Sequence, residues 1–215
     1  MSGPHTAAEE TGIPLMAAIP EARRALEDVG LADEIDLVVA GGIRNGGDVA
    51  KALALGAKAV ALGHSALMAL NCNKEIPGVT DYEGTIGVPA GQCYHCHTGR
   101  CPVGITTQDP ELRKRLVVDE AAERVYNFLT ALTMEVQMLA RACGKTNVHS
   151  LEPEDLCALT VEAAAMAKVP LAGTTWTPGV TEERILAEVG KLVEKKHEEE
   201  AVRDRADVEP LRAAE

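Results

Sequence analysis

The chain has 215 residues, enough to bury a real core, and its 46% apolar content is that of an ordinary globular protein. A net charge of −12 argues against nucleic acid, whose phosphates call for clustered Lys and Arg, and no apolar run reaches the roughly 18 residues of a membrane span. With aromatic residues at only 2%, the core must be built from Ala, Leu, Val and Ile, as suits close-packed helices and short parallel strands. Met1 opens onto SGPHTAAEETG, which lacks the basic and apolar regions of a secretory signal. The six cysteines are therefore expected in a reducing cytosol, where metal or cluster ligation outranks disulfide formation.

In chain order, apolar residues spaced by three and four predict a helix over 14–29, with Pro20 near its start. The run IDLVVA at 35–40 reads as a strand buried on both faces, ended by Gly41-Gly42. A helix over 48–55 closed by Gly56, a second buried strand over 59–62 closed by Gly63, and a helix from Ser65 to Leu70 follow. Strand–helix–strand–helix with short connections is the unit of a parallel α/β sheet or barrel, and it assigns residues 1–71 to an α/β part.

From Cys72 to Pro110 the character changes: Gly and Pro punctuate the chain, four cysteines lie in it, and no period persists. So long an irregular stretch calls for a functional reason or an internal staple, and the cysteines can be that staple. Beyond it, residues 111–200 turn helical. Ala121, Val125, Phe128, Leu132, Val136 and Leu139 mark one apolar face of a long helix over 119–142, with Gly144 as its stop. A helix over 153–167 with Pro in its first turn and a charged helix over 181–200 complete this part, and 201–215 reads as a tail. No internal repeat is visible.

Two strand ends deliver glycines into a loop just before a helix: Gly41-Gly42-Ile43-Arg44 and Gly63-His64-Ser65, about twenty residues apart, one βα unit. Glycine lets a backbone with free N–H groups approach a phosphate, and a helix N-terminus adds partial positive charge. In (β/α)8 barrels the loops after the last two strands commonly do this together. Tight βα turns alone would explain one such pair; two in adjacent units, the second with a Ser, favour a phosphate clamp. Arg44 either adds charge to it or lies in solvent.

The second constellation is Cys93-Tyr94-His95-Cys96-His97-Thr98-Gly99-Arg100-Cys101-Pro102, a C-x2-C-x4-C run in which short spacings let thiolates converge on one centre. Cys72 is available as a fourth ligand. Spacing leaves structural zinc and an iron–sulfur cluster equally open. The C-x-x-C-H pattern of Cys93 to His97 also matches covalent haem attachment, which is normally extracytoplasmic. Cys143 and Cys157 fall in helical segments and are expected to be small buried apolar residues.

These residues carry a family resemblance. Gly41-Gly42-Ile43-Arg44 with Asp48-Val49, Ala57, Gly63-x-Ser-Ala, then Cys96-His97-x-x-x-Cys101-Pro102-Val103-Gly104 and Thr107-Gln108-Asp109-Pro110-Glu111-Leu112-Arg113-Lys114-Arg115 closely resemble the C-terminal end of the glutamate synthase FMN-binding domain, from roughly Gly12 to Leu139. Arg141-Ala142-Cys143-Gly144-Lys145 and the stretch to Trp176 are similar to a subfamily that includes the large subunit of N-methylglutamate synthase, which tends to lack the cluster cysteines present here.

The resemblance implies the last part of a (β/α)8 barrel with FMN at its C-terminal face, and Gly41, Gly42, Ile43, Gly63, His64 and Ser65 holding the FMN phosphate. It also implies a [3Fe-4S] cluster that relays electrons to FMN for reduction of the imine formed from 2-oxoglutarate and ammonia, with electron-donor and glutaminase subunits as further partners. Cys96 and Cys101 match two cluster ligands. The family's first cysteine falls at Ala90, so Cys93 must substitute, and with Cys72 available [4Fe-4S] is open. A barrel of this type takes about 250 residues, so an upstream portion or a separate chain is expected to supply the remaining strands, and the chain alone is expected to be inactive. The rival expectations are a non-catalytic metal- or cluster-binding module for electron transfer or assembly, and an N-methylglutamate synthase-like subunit.

Overall fold

The computed structural model describes residues 11–72, 76, 78–87, 93, 95–179, 190, 193, 194, 196 and 197. Helix α1 (Leu15–Asp28) buries Ile19 to 1% exposure and runs on through Pro20, whose ring nitrogen cannot donate to the preceding turn. It closes on Gly30, at φ 72°, with the Leu31 and Gly30 N–H groups returning to the Leu26 and Glu27 carbonyls. Strand β1 (Val38–Ala40) is followed by α2 (Gly46–Ala54) and β2 (Ala59–Ala61), and the two strands pair in parallel with Val39 beside Val60. Both strands are shorter than the predicted 35–40 and 59–62. Gly56, at φ 110°, ends α2 as expected, with the Ala57 N–H bonded to the Ala52 carbonyl.

The expectation that both strands are buried on both faces is corrected: Val39 is buried, but Val38 is 61% exposed, Ala40, Ala59 and Ala61 are exposed, and Val60 is half-buried. One face of this two-stranded sheet packs on the core, and no described element covers the other.

Helix α3 (His64–Ala69) ends at Asn71, which takes the left-handed conformation usually left to glycine, and the Cys72 N–H closes back onto the Leu67 carbonyl. The cysteine-rich stretch contains α4 (Tyr82–Ile86), a 3-10 turn at His95–His97 and α5 (Pro110–Arg113), each only a few residues long. Helix α6 (Val118–Ala142) follows, and Gly144 stops it. Its buried face is Ala121, Leu132, Val136 and Ala140, whereas Leu139 is 41% exposed, so the seam turns one residue later at the helix end than the sequence pattern places it.

The predicted helix over 153–167 is instead two pieces. A 3-10 turn at Pro153–Asp155 stops at Leu156, Ala158 bridges Leu171 in an extended conformation, and α7 (Val161–Ala167) restarts under Thr160, whose hydroxyl accepts the Ala163 N–H. The Asp155 carboxylate accepts the Glu152 N–H and completes a one-turn cap, so the acids that favour a helix start here close a turn. Residues 181–189 and most of 190–200, the third predicted helix, lie outside the described residues, as does the 201–215 tail; positions 190, 193, 194, 196 and 197 are helical.

The main core centres on α2, whose Val49, Ala52 and Leu53 share one cluster with Ile19 of α1 and with Leu132, Val136 and Ala140 of α6, while α7 brings Ala164 into the same cluster by packing on α1. A second small cluster, Ile76, Cys101 and Val103, lies in the cysteine-rich region. Among the described residues no helix is long and apolar enough to cross a membrane.

Candidate functional site

The glycine loops converge. Gly41, Gly42 and Ile43 leave β1, Gly63, His64 and Ser65 leave the adjacent β2, and all six line one cleft of about 970 Å³. Parallel pairing causes this: both strands end at the same edge of the sheet, so their following loops are neighbours. Gly41 and Gly42 have φ of 132° and 66°, a backbone that L side chains rarely adopt, and a Cβ on Gly41, Gly42 or Gly63 would meet open space. The N–H groups of Gly42, Ile43, His64 and Ser65 take no part in the loop and turn hydrogen bonds between described residues. Ser65 Oγ is buried and has no hydrogen-bond partner among the described residues. A buried hydroxyl in that state costs free energy unless a ligand or water meets it.

The N-terminus of α2 does not serve this cleft. Glu135 Oε2 on α6 accepts the Gly46 N–H at 2.6 Å, and Asn45 Oδ1 accepts the Asp48 N–H at 2.9 Å. Protein oxygens thus hold the position that the sequence leaves open for an anion. Arg44 is engaged as well: its backbone N–H and its Nε both donate to Asp48 Oδ2, at 3.1 and 3.2 Å. Its side chain is 78% exposed while it lines the cleft, so it lies both beside the loop and in solvent.

Arg124 and Phe128 of α6 line the cleft from outside the βα units, and the glycine pattern gives no sign of either. The available signal was a cation at position 124 interrupting the apolar stripe between Ala121 and Phe128. Glu135 escaped likewise, because its partner lies 89 residues away.

The thiols form the second constellation. Cys72 and Cys93 are half-buried, Cys96 is exposed, Cys101 is buried, and all are free thiols. Burial pushes the Cys72 thiol above its ordinary value, and the charges of Cys96, Cys101 and Cys93 add to this. Burial likewise raises Cys93, against a lowering hydrogen bond from the His95 backbone, with Cys101 and Cys96 raising it further. The four candidate ligands therefore lie within one another's electrostatic reach.

Cys101 differs. Burial pushes its thiol up, but the backbone N–H groups of Thr106, Val103 and Ile105 act on the sulfur and together hold the thiol below its ordinary value. That loop is pinned from several sides. Thr107 Oγ1 donates to the Gly99 carbonyl, and Arg115 donates to the Pro102 carbonyl at 2.7 Å. Asp109 caps α5 by accepting the Glu111 and Leu112 N–H groups. Gly104, at φ 82°, lies so close to the Leu112 carbonyl that an added Cβ would fall 2.4 Å from it. The VGITTQDPELRKR segment is thus the frame that turns backbone N–H groups toward one sulfur.

A set of four soft thiol donors with an N–H-solvated thiolate suits zinc or an iron–sulfur cluster. Among the described residues, however, no three His, Cys, Asp or Glu side chains close to metal-ligand distance. Ala90, the position of the family's first cysteine, lies outside the described residues. Cys143 and Cys157, expected to be buried, are exposed: Cys143 follows the last turn of α6 and Cys157 lies between the 3-10 turn and α7.

Comparison with known proteins identifies the family. A family model described as the conserved region in glutamate synthase matches residues 2–81 and 83–146, which include both glycine loops and all four candidate ligand cysteines. A glutamate synthase large subunit-like protein of Rhizobium meliloti is 55% identical over 171 residues, covering 80% of this chain and 38% of its own length. An archaeal glutamate synthase [NADPH] of Methanocaldococcus jannaschii is 38% identical over 150 residues, covering 70% and 26%. An archaeal-type glutamate synthase [NADPH] of Dehalococcoides mccartyi is 35% identical over the same length, again 70% and 26%. The chain thus spans less than two fifths of the relatives it matches. Two glycine loops on one cleft, a cysteine run framed by its own downstream segment, and a family match spanning both make the chain a member of the glutamate synthase family.

Proposed function

We propose that this chain forms the FMN-phosphate and cluster-bearing part of a glutamate synthase-type oxidoreductase, which reduces the imine of 2-oxoglutarate and ammonia to glutamate. The observation that carries the reading is the convergence of Gly41, Gly42, Ile43, Gly63, His64 and Ser65 on one cleft, with Ser65 Oγ buried and unpartnered there. On this reading β1–α2–β2–α3 is two consecutive units of a (β/α)8 barrel, and the exposed sheet face and edges meet further strands. FMN, when bound, supplies the hydride. The chain's own residues do something narrower. The Gly42, Ile43, His64 and Ser65 N–H groups and the Ser65 hydroxyl hold the phosphate, and the left-handed Gly41-Gly42 backbone lets them approach it without a Cβ between.

The thiols of Cys72, Cys93, Cys96 and Cys101 are proposed to hold an iron–sulfur cluster, [3Fe-4S] or [4Fe-4S], as a one-electron relay to the flavin. The N–H groups around Cys101 favour its thiolate and so its ligation. The electron-donor and glutaminase functions are assigned to partner subunits or domains, since no described residue suits them. Anaerobic purification tests the reading: iron and sulfide should be found at three or four per chain. Zinc at one per chain without sulfide would remove the relay from the proposal.

A further inference from the structure

The cleft that holds the two glycine loops has a third side, contributed by α6. Arg124 and Phe128 line it, one helical turn apart. In a chain of net charge −12 no described residue lining this cleft is acidic, so the field of this lining runs against the bulk charge. Its Arg and His residues are Arg44, His64 and Arg124. Arg44 is bound to the buried carboxylate of Asp48, which offsets its charge. Among the described residues the ion pair of Arg124 is a loose one with the exposed Glu120, 3.6 Å away and four residues back on the same helix. The Arg124 side chain is 37% exposed, but its Nε is buried and has no partner among the described residues, as is true of Ser65 Oγ, and both residues line this cleft. A guanidinium N–H and a hydroxyl on different elements can each donate to an anion bound in the cleft they line.

We infer that Arg124 is a ligand of the phosphoryl group, closing the site formed by the glycine loops from the α6 side through its guanidinium Nε–H. The inference rests on the phosphate-site reading and adds a residue from an element outside the βα units. The α2–α6 contact then has a second role: Glu135 bonded to Gly46 fixes the helix that presents Arg124.

The test uses the full chain and three probes: inorganic phosphate, FMN and riboflavin, followed by equilibrium dialysis or titration calorimetry. Phosphate and FMN should bind and riboflavin should not. Arg124→Gln should weaken both phosphate and FMN by roughly tenfold or more, the weight of one charge-assisted hydrogen bond, with Arg124→Lys in between. Glu120→Gln, which releases the guanidinium from its loose pair, should tighten phosphate more in the unaltered chain than in Arg124→Gln, whereas a merely structural Arg124 would leave the two gains equal. Unchanged phosphate binding in Arg124→Gln, or weaker binding in Glu120→Gln, overturns the inference. If Gly42→Val abolishes binding in that same series, the glycine clamp stands without Arg124. Absence of phosphate binding by the unaltered chain, or displacement of phosphate by 2-oxoglutarate at lower concentration, overturns both.

Discussion

Glu135 Oε2 accepts the backbone N–H of Gly46 at 2.6 Å, joining the first turn of α2 to the middle of α6 across 89 residues of sequence. The approach is so close that a Cβ on Gly46 would lie 2.4 Å from Glu135 Cβ and 2.7 Å from the Leu132 carbonyl oxygen. Glycine is required here by contact rather than by φ. Gly46→Ala should therefore destabilise the chain by about 1–3 kcal/mol, the usual range for overpacking. Glu135→Ala should cost about 1–3 kcal/mol through the orphaned N–H. Urea unfolding followed by far-UV circular dichroism measures both. A midpoint for Gly46→Ala equal to that of the unaltered chain would mean that α2 and α6 do not meet this closely.

The cysteine assignment makes a graded prediction. Cys101→Ser and Cys96→Ser should abolish bound iron, and Cys101→Ser should also loosen the 99–116 loop, whose N–H groups lose a thiolate acceptor. Exposed Cys143 and Cys157 should tolerate Ser with iron content and stability unchanged within about 0.5 kcal/mol. Cys72→Ser discriminates the cluster types: iron retained with a [3Fe-4S] electron paramagnetic resonance signal removes Cys72 from the ligand set. Equal iron loss from Cys157→Ser would refute the assignment as a whole.

The local parts of this fold were legible because their causes are local. Gly30, Gly56 and Gly144 close three helices through left-handed C-caps within a residue or two of where the sequence puts the ends. The pairing of loops from β1 and β2 followed from chain order alone, since consecutive parallel strands bring their C-terminal ends together. What escaped depended on partners distant in sequence. Nothing near Gly46 announces Glu135, and nothing in the glycine motif announces Arg124. The 153–167 segment misled because acids and a proline start a turn as readily as a helix, and the competing pairing of Ala158 with Leu171 is not visible until the chain folds back.

Lys145 gives a pH signature. Its ammonium donates to Glu152 and lies 3.6 Å from Asp155, tying the end of α6 to the Pro153–Asp155 turn. The Glu152 hydrogen bond is the main cause that raises its pKa above the ordinary lysine value, against an opposing effect of desolvation and with the Asp155 charge adding to the rise. A folded-state pKa above the unfolded one means that the stabilisation is fully present below the unfolded value. It is lost as pH rises through the folded one, and near neutral pH it does not vary. Thermal denaturation of the unaltered chain and Lys145→Met should differ at pH 8, and the gap should shrink on going to strongly alkaline pH. A gap that stays constant across that range would remove the ion pair as its cause.

Flavin binding separates the clamp from the rest of the site. Gly63 has no neighbour within 4 Å of an added Cβ, so Gly63→Leu finds room for its side chain beside the cleft. Gly42 has open space too, but at φ 66° a side chain strains the backbone, so Gly42→Val should lose about 1–2 kcal/mol as well as crowding the cleft. Phosphate contacts alone hold a flavin weakly, because the isoalloxazine ring needs walls that β1 and β2 do not provide. The chain by itself should therefore bind FMN weakly and show no glutamate synthase activity, and fusion to the preceding strands of a relative should strengthen FMN binding. In that fused protein Gly63→Leu should weaken FMN by tenfold or more, roughly the loss of one or two hydrogen bonds to a charged group. Quenching of flavin fluorescence during titration reads all of these. Tight FMN binding by the chain alone would show that the ring finds its walls within these residues, and FMN affinity unchanged in both glycine variants would place the phosphate elsewhere.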